Sequence, residues 1–371
     1  MNDTLAVPRR VPHDGMPPLD PSGPPVSFFE FWPQHEFYAP MVLYWLWLSL
    51  KHGGRFTLPT ISNPLIPMGG WIGESKASVF DLSGPYARTF ISPWSLFHNL
   101  PGATVADALA DVKRAGITFP FVAKPDMGCR GVGVRRVRSE TQLASYISAF
   151  PLQQKIVFQK LVDHEPEAGI FYIRKPNEVR GRIVSVTLKY FPYVYGDGKS
   201  TLQELIERDR RAGPLRHIYL PRHKERLGLV LAPGEPFRIA FAGSHSRGTI
   251  FRNGNSFITE AMTDAFDRVA KDIKEFHFGR FDVRFPTITD LQAGRNFTIV
   301  EINGAGAEAT HIWDRNTRLS DAYRALMDQY AAMWEIGAMN ARRGYKPASV
   351  LDTFRAYRNE VKLWAEYPQT E

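Results

Sequence analysis

Phe278-Gly279-Arg280-Phe281-Asp282-Val283-Arg284 and Phe297-Thr298-Ile299-Val300-Glu301-Ile302-Asn303 both alternate polar residues with β-branched or aromatic ones, the pattern of a β-strand. Glu301 and Asn303 are two apart, so on a strand they project from one face. A hairpin would bring Asp282 beside them. The connection, Phe285 to Asn296, carries Pro286, Asp290, Gly294 and Asn296, as a loop does. Two carboxylates and an amide oxygen make a donor set for a hard cation such as Mg²⁺, which favours carboxylates together with phosphate oxygens. A solvated hairpin face could also carry two acids. Ile299, Val300 and Ile302 argue against it, because acids in so apolar a segment need a reason to be there. Asp282, Glu301 and Asn303 are therefore the candidate metal ligands.

A second signal lies upstream. Ile117 to Pro125 reads as a strand ending in Lys124-Pro125. A loop follows, Asp126-Met127-Gly128-Cys129-Arg130-Gly131-Val132-Gly133, and then a strand to Val137. Glycines let the backbone approach a ligand, and successive N–H groups form a nest for phosphate oxygens. Lys124 adds its charge at the strand end. The spacing of Gly128, Gly131 and Gly133 differs from the dinucleotide fingerprint, which opens a helix; here a strand follows, so the loop is a hairpin flap. Cys129 has no base supplied by the sequence and reads as a loop residue.

The charge balance suits an anionic ligand. The 371 residues carry 46 Lys and Arg against 38 Asp and Glu, a net +8, yet form no long basic run, so small anions are expected and nucleic acid is not. The single cysteine excludes an intramolecular disulfide framework and suits a reducing, cytoplasmic setting. Residues 1–25 are rich in Pro and Gly and read as a mobile tail without a signal peptide. Tyr38 to Leu50 is almost wholly apolar, but its 13 or so residues fall short of the roughly 20 that span a bilayer. A buried helix is expected there, with an interfacial helix as the alternative and no stable membrane insertion.

Taken in order, Lys124-Pro125, the glycine-rich hairpin, Arg280-x-Asp282-Val283 and Glu301-x-Asn303 resemble the ATP-grasp ligases, with D-alanine–D-alanine ligase and the ATP-grasp part of cyanophycin synthetase as the nearest patterns, over roughly residues 105 to 315. The resemblance implies an α/β fold of two α+β subdomains gripping nucleotide between them. The expected divisions are a tail (1–25), a divergent N-terminal region (26–103), a small subdomain with the hairpin (104–160), a central subdomain with the metal site (161–316) and C-terminal helices (317–371). The last pack on the outside or form a homodimer contact.

The resemblance also distributes roles. ATP and Mg²⁺, or Mn²⁺ in its place, are implied. Lys124 and the loop residues Gly128, Cys129, Arg130, Gly131, Val132 and Gly133 would hold phosphates. Gln159, Lys160, Leu161 and Val162 match the adenine stretch, and Glu167, with Glu165 as alternate, the ribose contact. Lys189, near the end of the alternating strand Arg182–Tyr190, would face phosphate, although a strand lysine can equally face solvent. Arg280 and Lys189 would neutralise developing charge as catalytic residues. His245, Arg252, Gly304 and His311 are candidate substrate contacts. The implied function is an ATP-dependent carboxylate–amine (or thiol) ligase that activates a carboxylate as its acylphosphate. A kinase stopping at phosphate transfer, or a nucleotide-binding protein without turnover, are the alternatives.

Two further stretches have competing readings. Asn63 to Lys76 sets glycines beside Glu74-Ser75-Lys76, which either approach an anion or form a turn-rich connection into an N-capped helix. Gly196-Asp197-Gly198-Lys199-Ser200-Thr201 looks like part of a P-loop, but Tyr193 stands where a glycine is required, so a turn and a capped helix are expected.

Overall fold

Period-two alternation of apolar residues builds two antiparallel sheets, each with one apolar face against helices. On the other face of the larger sheet Phe171, Ile173 and Phe278 pack with Met333 and Trp334, and a charged stretch lies beside them. The computed structural model describes residues 12–20, 22–128 and 131–371; Cys129 and Arg130, expected in the phosphate loop, lie outside them. The smaller sheet has the order β1-β4-β2-β3, formed by β1 (Trp94–His98), β2 (Phe121–Pro125), β3 (Arg135–Val137) and β4 (Lys155–Lys160). Phe97, Phe121, Ala123, Val137, Ile156 and Phe158 pack on the helices Val105–Arg114 and Glu140–Ala149. Burying each large side chain of this kind is worth about 1.5–3 kcal/mol. Thr104 starts the first helix through a reciprocal capping box with Asp107. Ser139 caps the second by accepting from Gln142 N, while the Gln142 side chain turns back to Arg138 N.

The larger sheet has the order β11-β10-β5-β6-β9: β5 (Glu167–Ile173), β6 (Arg182–Tyr190), β9 (Ile250–Asn253), β10 (Phe278–Arg284) and β11 (Thr298–Asn303). A separate ribbon of β7 (Tyr193–Tyr195) and β8 (Pro236–Arg238) lies in the segment between β6 and β9. Ala168, Ile170, Val186, Leu188, Phe281, Val283 and Ile302 form the dry face, closed by Met262, Phe266 and Val269 of the helix Glu260–Lys271. The hairpin read from the sequence is present, and its connection holds a short helix, Ile288–Gln292, capped by Thr287. Asp197 organises a turn by accepting from Lys199 N and Ser200 N, and Thr201 caps the next helix, so the P-loop-like stretch is structural.

Three expectations change. The helix Gln34–Lys51 is half-buried rather than buried: Phe37, Met41, Trp45 and Leu48 face inward, whereas Val42, Leu43, Leu46, Trp47 and Leu50 are exposed. One stripe suffices to pack against the helix Leu319–Arg342, and nothing among the described residues covers the other. No helix among the described residues is long and apolar enough to cross a membrane. Second, residues 12–20 are docked. Tyr190 OH donates to Pro17 O at 2.9 Å, Ile288 N to Gly15 O at 2.8 Å, and Arg315 pairs with Asp20 at 2.8 Å. Met16 and Leu19 pack on the main core, which repays ordering the segment. Third, the C-terminal helix Val350–Glu366 belongs to the small-sheet core through Leu363.

Candidate active site

The site lies on the polar face of the larger sheet, and the ladder register explains its composition. Arg280, Asp282 and Arg284 alternate on β10. Glu167 on β5 lies opposite both Arg284 and Lys189 of β6, and Glu301 on β11 lies opposite Asp282. The result is a row of alternating charge. Arg284 Nε is 3.2 Å from Glu167 Oε2, and Lys189 Nζ is 3.0 Å from both Glu167 Oε1 and Asp282 Oδ1. Arg280 closes the row with two bonds to Asp282, Nε to Oδ1 at 2.8 Å and Nη2 to Oδ2 at 3.0 Å. Gly169, opposite Asp282, makes the room: a Cβ there would stand 2.9 Å from Arg280 Cδ and 3.2 Å from Asp282 Oδ1.

Lys124 crosses from the smaller sheet to meet this face. Its ammonium donates to Gln159 Oε1 at 2.8 Å and to Val300 O of β11 at 2.9 Å. Burial pulls its pKa down to about 8, against the opposing pull of Glu301. The other half of the Gln159 amide, Nε2, is buried without a partner among the described residues, a donor awaiting an acceptor. Burial would raise Asp282, but the Arg280 guanidinium and the Lys189 ammonium overcome it and hold its carboxyl at about 2. Glu167 is likewise lowered, burial being outweighed by Lys189 and Arg284.

The Glu74-Ser75-Lys76 triplet answers to both of its readings. Ser75 caps the helix Lys76–Asp81, as a turn-rich connection would require. Lys76 Nζ also reaches Gly128 O at 2.8 Å and Glu301 Oε1 at 3.4 Å. Glu74 Oε1 accepts from Gly304 N at 2.8 Å, and burial raises its pKa to about 8, opposed by that N–H and by Lys76. Sequence reasoning named the triplet but not its contact with β11. Gly169 was missed altogether; its position opposite Asp282 is visible only once the strands are paired.

The expected residues divide clearly. Asp282, Glu301 and Asn303 converge, with Asn303 Nδ2 3.5 Å from Asp282 Oδ2. Lys124, Gln159, Glu167, Lys189 and Arg280 join them. The backbone of Lys160 is committed, its N–H to Pro93 O and its carbonyl to Ser92, and Val162 O accepts from Arg284 Nη1 at 3.4 Å. Gly133 N donates to Thr370 Oγ1, and Gly131 O accepts from it. Val132 packs at the small-sheet core and Gly128 lies beside Pro125. Glu165 bonds Tyr193 OH at 2.7 Å, away from the row. His311 Nδ1 is 2.7 Å from Ser185 Oγ and so stands over the polar face, whereas His245 stacks on Trp313. Arg252 lies opposite Leu188, so alternation sends it to the face away from Lys189, and the structure does not place it with the substrate candidates. Gly304 packs against Gly69 and Gly70 and gives its N–H to Glu74, which makes it a brace for the end of β11.

No family model and no curated protein matches the chain. Solved structures similar to it include a bifunctional glutathione synthetase from Pasteurella multocida, 15% identical, with 70% of this chain and 35% of that one covered and a TM-score of 0.36. An ATP-grasp ligase complexed with a minimal precursor is 13% identical, with coverages of 70% and 59% and a TM-score of 0.36. The D-alanine–D-alanine ligase from Coxiella burnetii is 9% identical, with coverages of 80% and 64% and a TM-score of 0.40. The matches thus span from about a third to under two thirds of those chains. The resemblance to ATP-grasp ligases read from the sequence is met again here. At these scores it carries no argument about activity, and the chemistry is read from the chain's own residues.

Proposed function

We propose that the chain is an ATP- and Mg²⁺-dependent ligase of ATP-grasp type, joining a carboxylate to an amine or thiol. One observation carries this reading. Lys76, Lys124, Lys189, Arg280 and Arg284 surround Glu74, Glu167, Asp282 and Glu301, and burial raises the Glu74 carboxyl to about 8, so at neutral pH cations outnumber ionised carboxylates on a largely buried face between two sheets. Unmatched buried cations are costly, and a polyanion such as a triphosphate relieves the cost. The acids at the β11 end suit a metal that would accompany the phosphates.

The donor set fits a hard cation, because Asp282, Glu301 and Asn303 offer oxygen alone. Those three residues would hold it, and when bound it would supply charge neutralisation at the phosphate oxygens. The chain's own residues do the rest. Lys124 and Lys189 hold phosphate oxygens and screen charge that develops as the terminal phosphoryl group moves to the substrate carboxylate. Arg280 is fixed by its two bonds to Asp282 and presents a rigid positive charge at the same place. Closing the two sheets on one another keeps water from the activated carboxylate until the amine attacks.

ADP release measured over panels of amino acids, dipeptides and polyamines tests the proposal. The expected result is Mg²⁺-dependent ADP formation that requires both a carboxylate and an amine. ADP formed with a single acceptor and a stable phosphorylated product selects a kinase instead. Failure of the folded protein to bind ATP with Mg²⁺ overturns both.

A further inference from the structure

A second concentration of positive charge lies outside the row just described. Arg135, Arg136 and Arg138 on and after β3 face Arg222, Arg226 and Arg238 of the segment between β6 and β9 across a cavity of about 420 Å³. None of Lys124, Lys189, Arg280 or Asp282 lines it. One wall belongs to the smaller sheet and the other to the segment between β6 and β9, and they touch through the Arg136 guanidinium over the Phe241 ring, 5.0 Å from its centroid. So many guanidiniums repel one another unless an anion lies between them.

The chain itself shows what the cavity recognises. The Glu371 carboxylate enters it. Oε2 accepts from Arg136 N at 2.9 Å, and Oε1 from Arg136 Nη2 at 3.0 Å and Arg138 Nη2 at 2.7 Å. One backbone N–H and two guanidiniums converging on a carboxylate is the way a protein holds an oxyanion. Thr370 fixes the segment, accepting from Gly133 N at 3.1 Å and donating to Gly131 O at 2.8 Å. On the far wall Arg222 Nη2 is buried and has no hydrogen-bond partner among the described residues. Glu371 therefore fills one end of a site whose other end carries Arg222, Lys224 and Arg226 against the single carboxylate of Glu225.

We propose that this cavity is a binding site for a small ligand with two or more oxyanion groups, carboxylate or phosphate, one of which displaces the Glu371 carboxylate while another engages the wall of Arg222 and Arg226. The ligand bridges the smaller sheet and the segment between β6 and β9, so its binding draws them together. The inference stands apart from the nucleotide reading and does not need it.

Calorimetric titration of the full chain at low ionic strength in metal-free buffer, with citrate and with inorganic pyrophosphate as probes, tests it. One ligand per chain is expected, and the tighter probe tells polycarboxylate from phosphate ligands. Glu371→Gln removes the internal competitor and tightens binding several-fold. Arg138→Gln combined with Arg226→Gln, both at exposed positions, weakens it at least about tenfold without altering the melting temperature. Lys124→Ala leaves it unchanged. Wild-type affinity in the double arginine variant would overturn the proposal. So would absence of binding to the Glu371→Gln protein at millimolar probe, or loss of binding in Lys124→Ala, which would put the anion in the buried row.

Discussion

Asp282 and Glu301 stand directly opposite one another in the β10–β11 ladder, yet their charges are answered from different places. Asp282 is buried and locked between Arg280 and Lys189, with bonds of 2.8 to 3.0 Å. Glu301 is half-buried and pairs with the more distant Lys76, at 3.4 Å, which reaches in from the N-terminal region, and its charge also pulls on Lys124. Two acids facing each other across an antiparallel pair repel, and the structure offsets that repulsion for Asp282 far more than for Glu301. The same two residue types at one site therefore have different duties.

Asp282→Asn should be costly to the fold. It leaves the buried Arg280 and Lys189 without their shared counter-charge, a loss of about 3–5 kcal/mol. Denaturant unfolding measures it. The sign of the pH effect follows from a folded pKa of about 2, below the usual carboxylate value. Asp282 contributes stability that is fully present above about pH 4 and is lost as pH falls through about 2, amounting to about 2 kcal/mol. The wild-type protein should lose this part of its stability in acid, and Asp282→Asn should show a correspondingly shallower decline.

Glu301→Gln should behave in the opposite way. It keeps the volume, gives up a long ion pair worth at most about 1 kcal/mol, and relieves repulsion with Asp282. The melting temperature should stay within about 2 °C of wild type. ADP formation should fall sharply, because a charged oxygen donor is lost from the metal set. Wild-type Mg²⁺-dependent turnover in this variant would place the metal elsewhere.

The facing of these residues was legible because strand periodicity is local: Glu301-x-Asn303 and Arg280-x-Asp282 declare their shared face within three residues each. The turn and capped helix expected over residues 196–201 were legible for the same reason, and Thr201 supplies the cap. What escaped depends on contacts between distant segments. Lys76 meets Glu301, and Thr370 and Glu371 meet the glycine-rich hairpin, through folding that no periodicity reports. Arg252 was assigned to the substrate from its neighbourhood in sequence, but one residue of strand register decides its face. The docking of residues 12–20 was hidden by a composition that reads as unstructured, since Met16 and Leu19 are too few to announce a core contact.

Gly169 supplies a test of how tightly the row is held. A methyl group there would press on Arg280 Cδ at 2.9 Å and Asp282 Oδ1 at 3.2 Å, so one of the two must move. Gly169→Ala should destabilise the protein by about 1–3 kcal/mol and lower turnover, because Arg280 is displaced from its paired position. Equal catalytic rates in a folded Gly169→Ala protein would show that the placement of Arg280 is not critical.

Lys124 links the two sheets to pH. Its ammonium is buried between Gln159 and Val300 O, and burial brings its pKa down to about 8. In the free protein the ammonium is therefore lost as pH rises through about 8, whereas an ordinary lysine keeps its charge beyond pH 10. Because the folded pKa lies below the unfolded one, the unfolded chain holds the extra proton between these values, and this group's contribution to stability rises with pH across that window. Nucleotide binding runs the other way: a phosphate beside Lys124 favours its charged form, so affinity must weaken once the proton has to be taken up from solution. Titration of ATP with Mg²⁺ from pH 6.5 to 9.5 should show nearly constant affinity up to about pH 8 and a decline of up to tenfold per unit above it. Lys124→Ala should bind weakly at every pH and lose that break while remaining folded. Retention of the break in Lys124→Ala would assign it to another group, and unchanged affinity in the variant would remove Lys124 from the phosphate site.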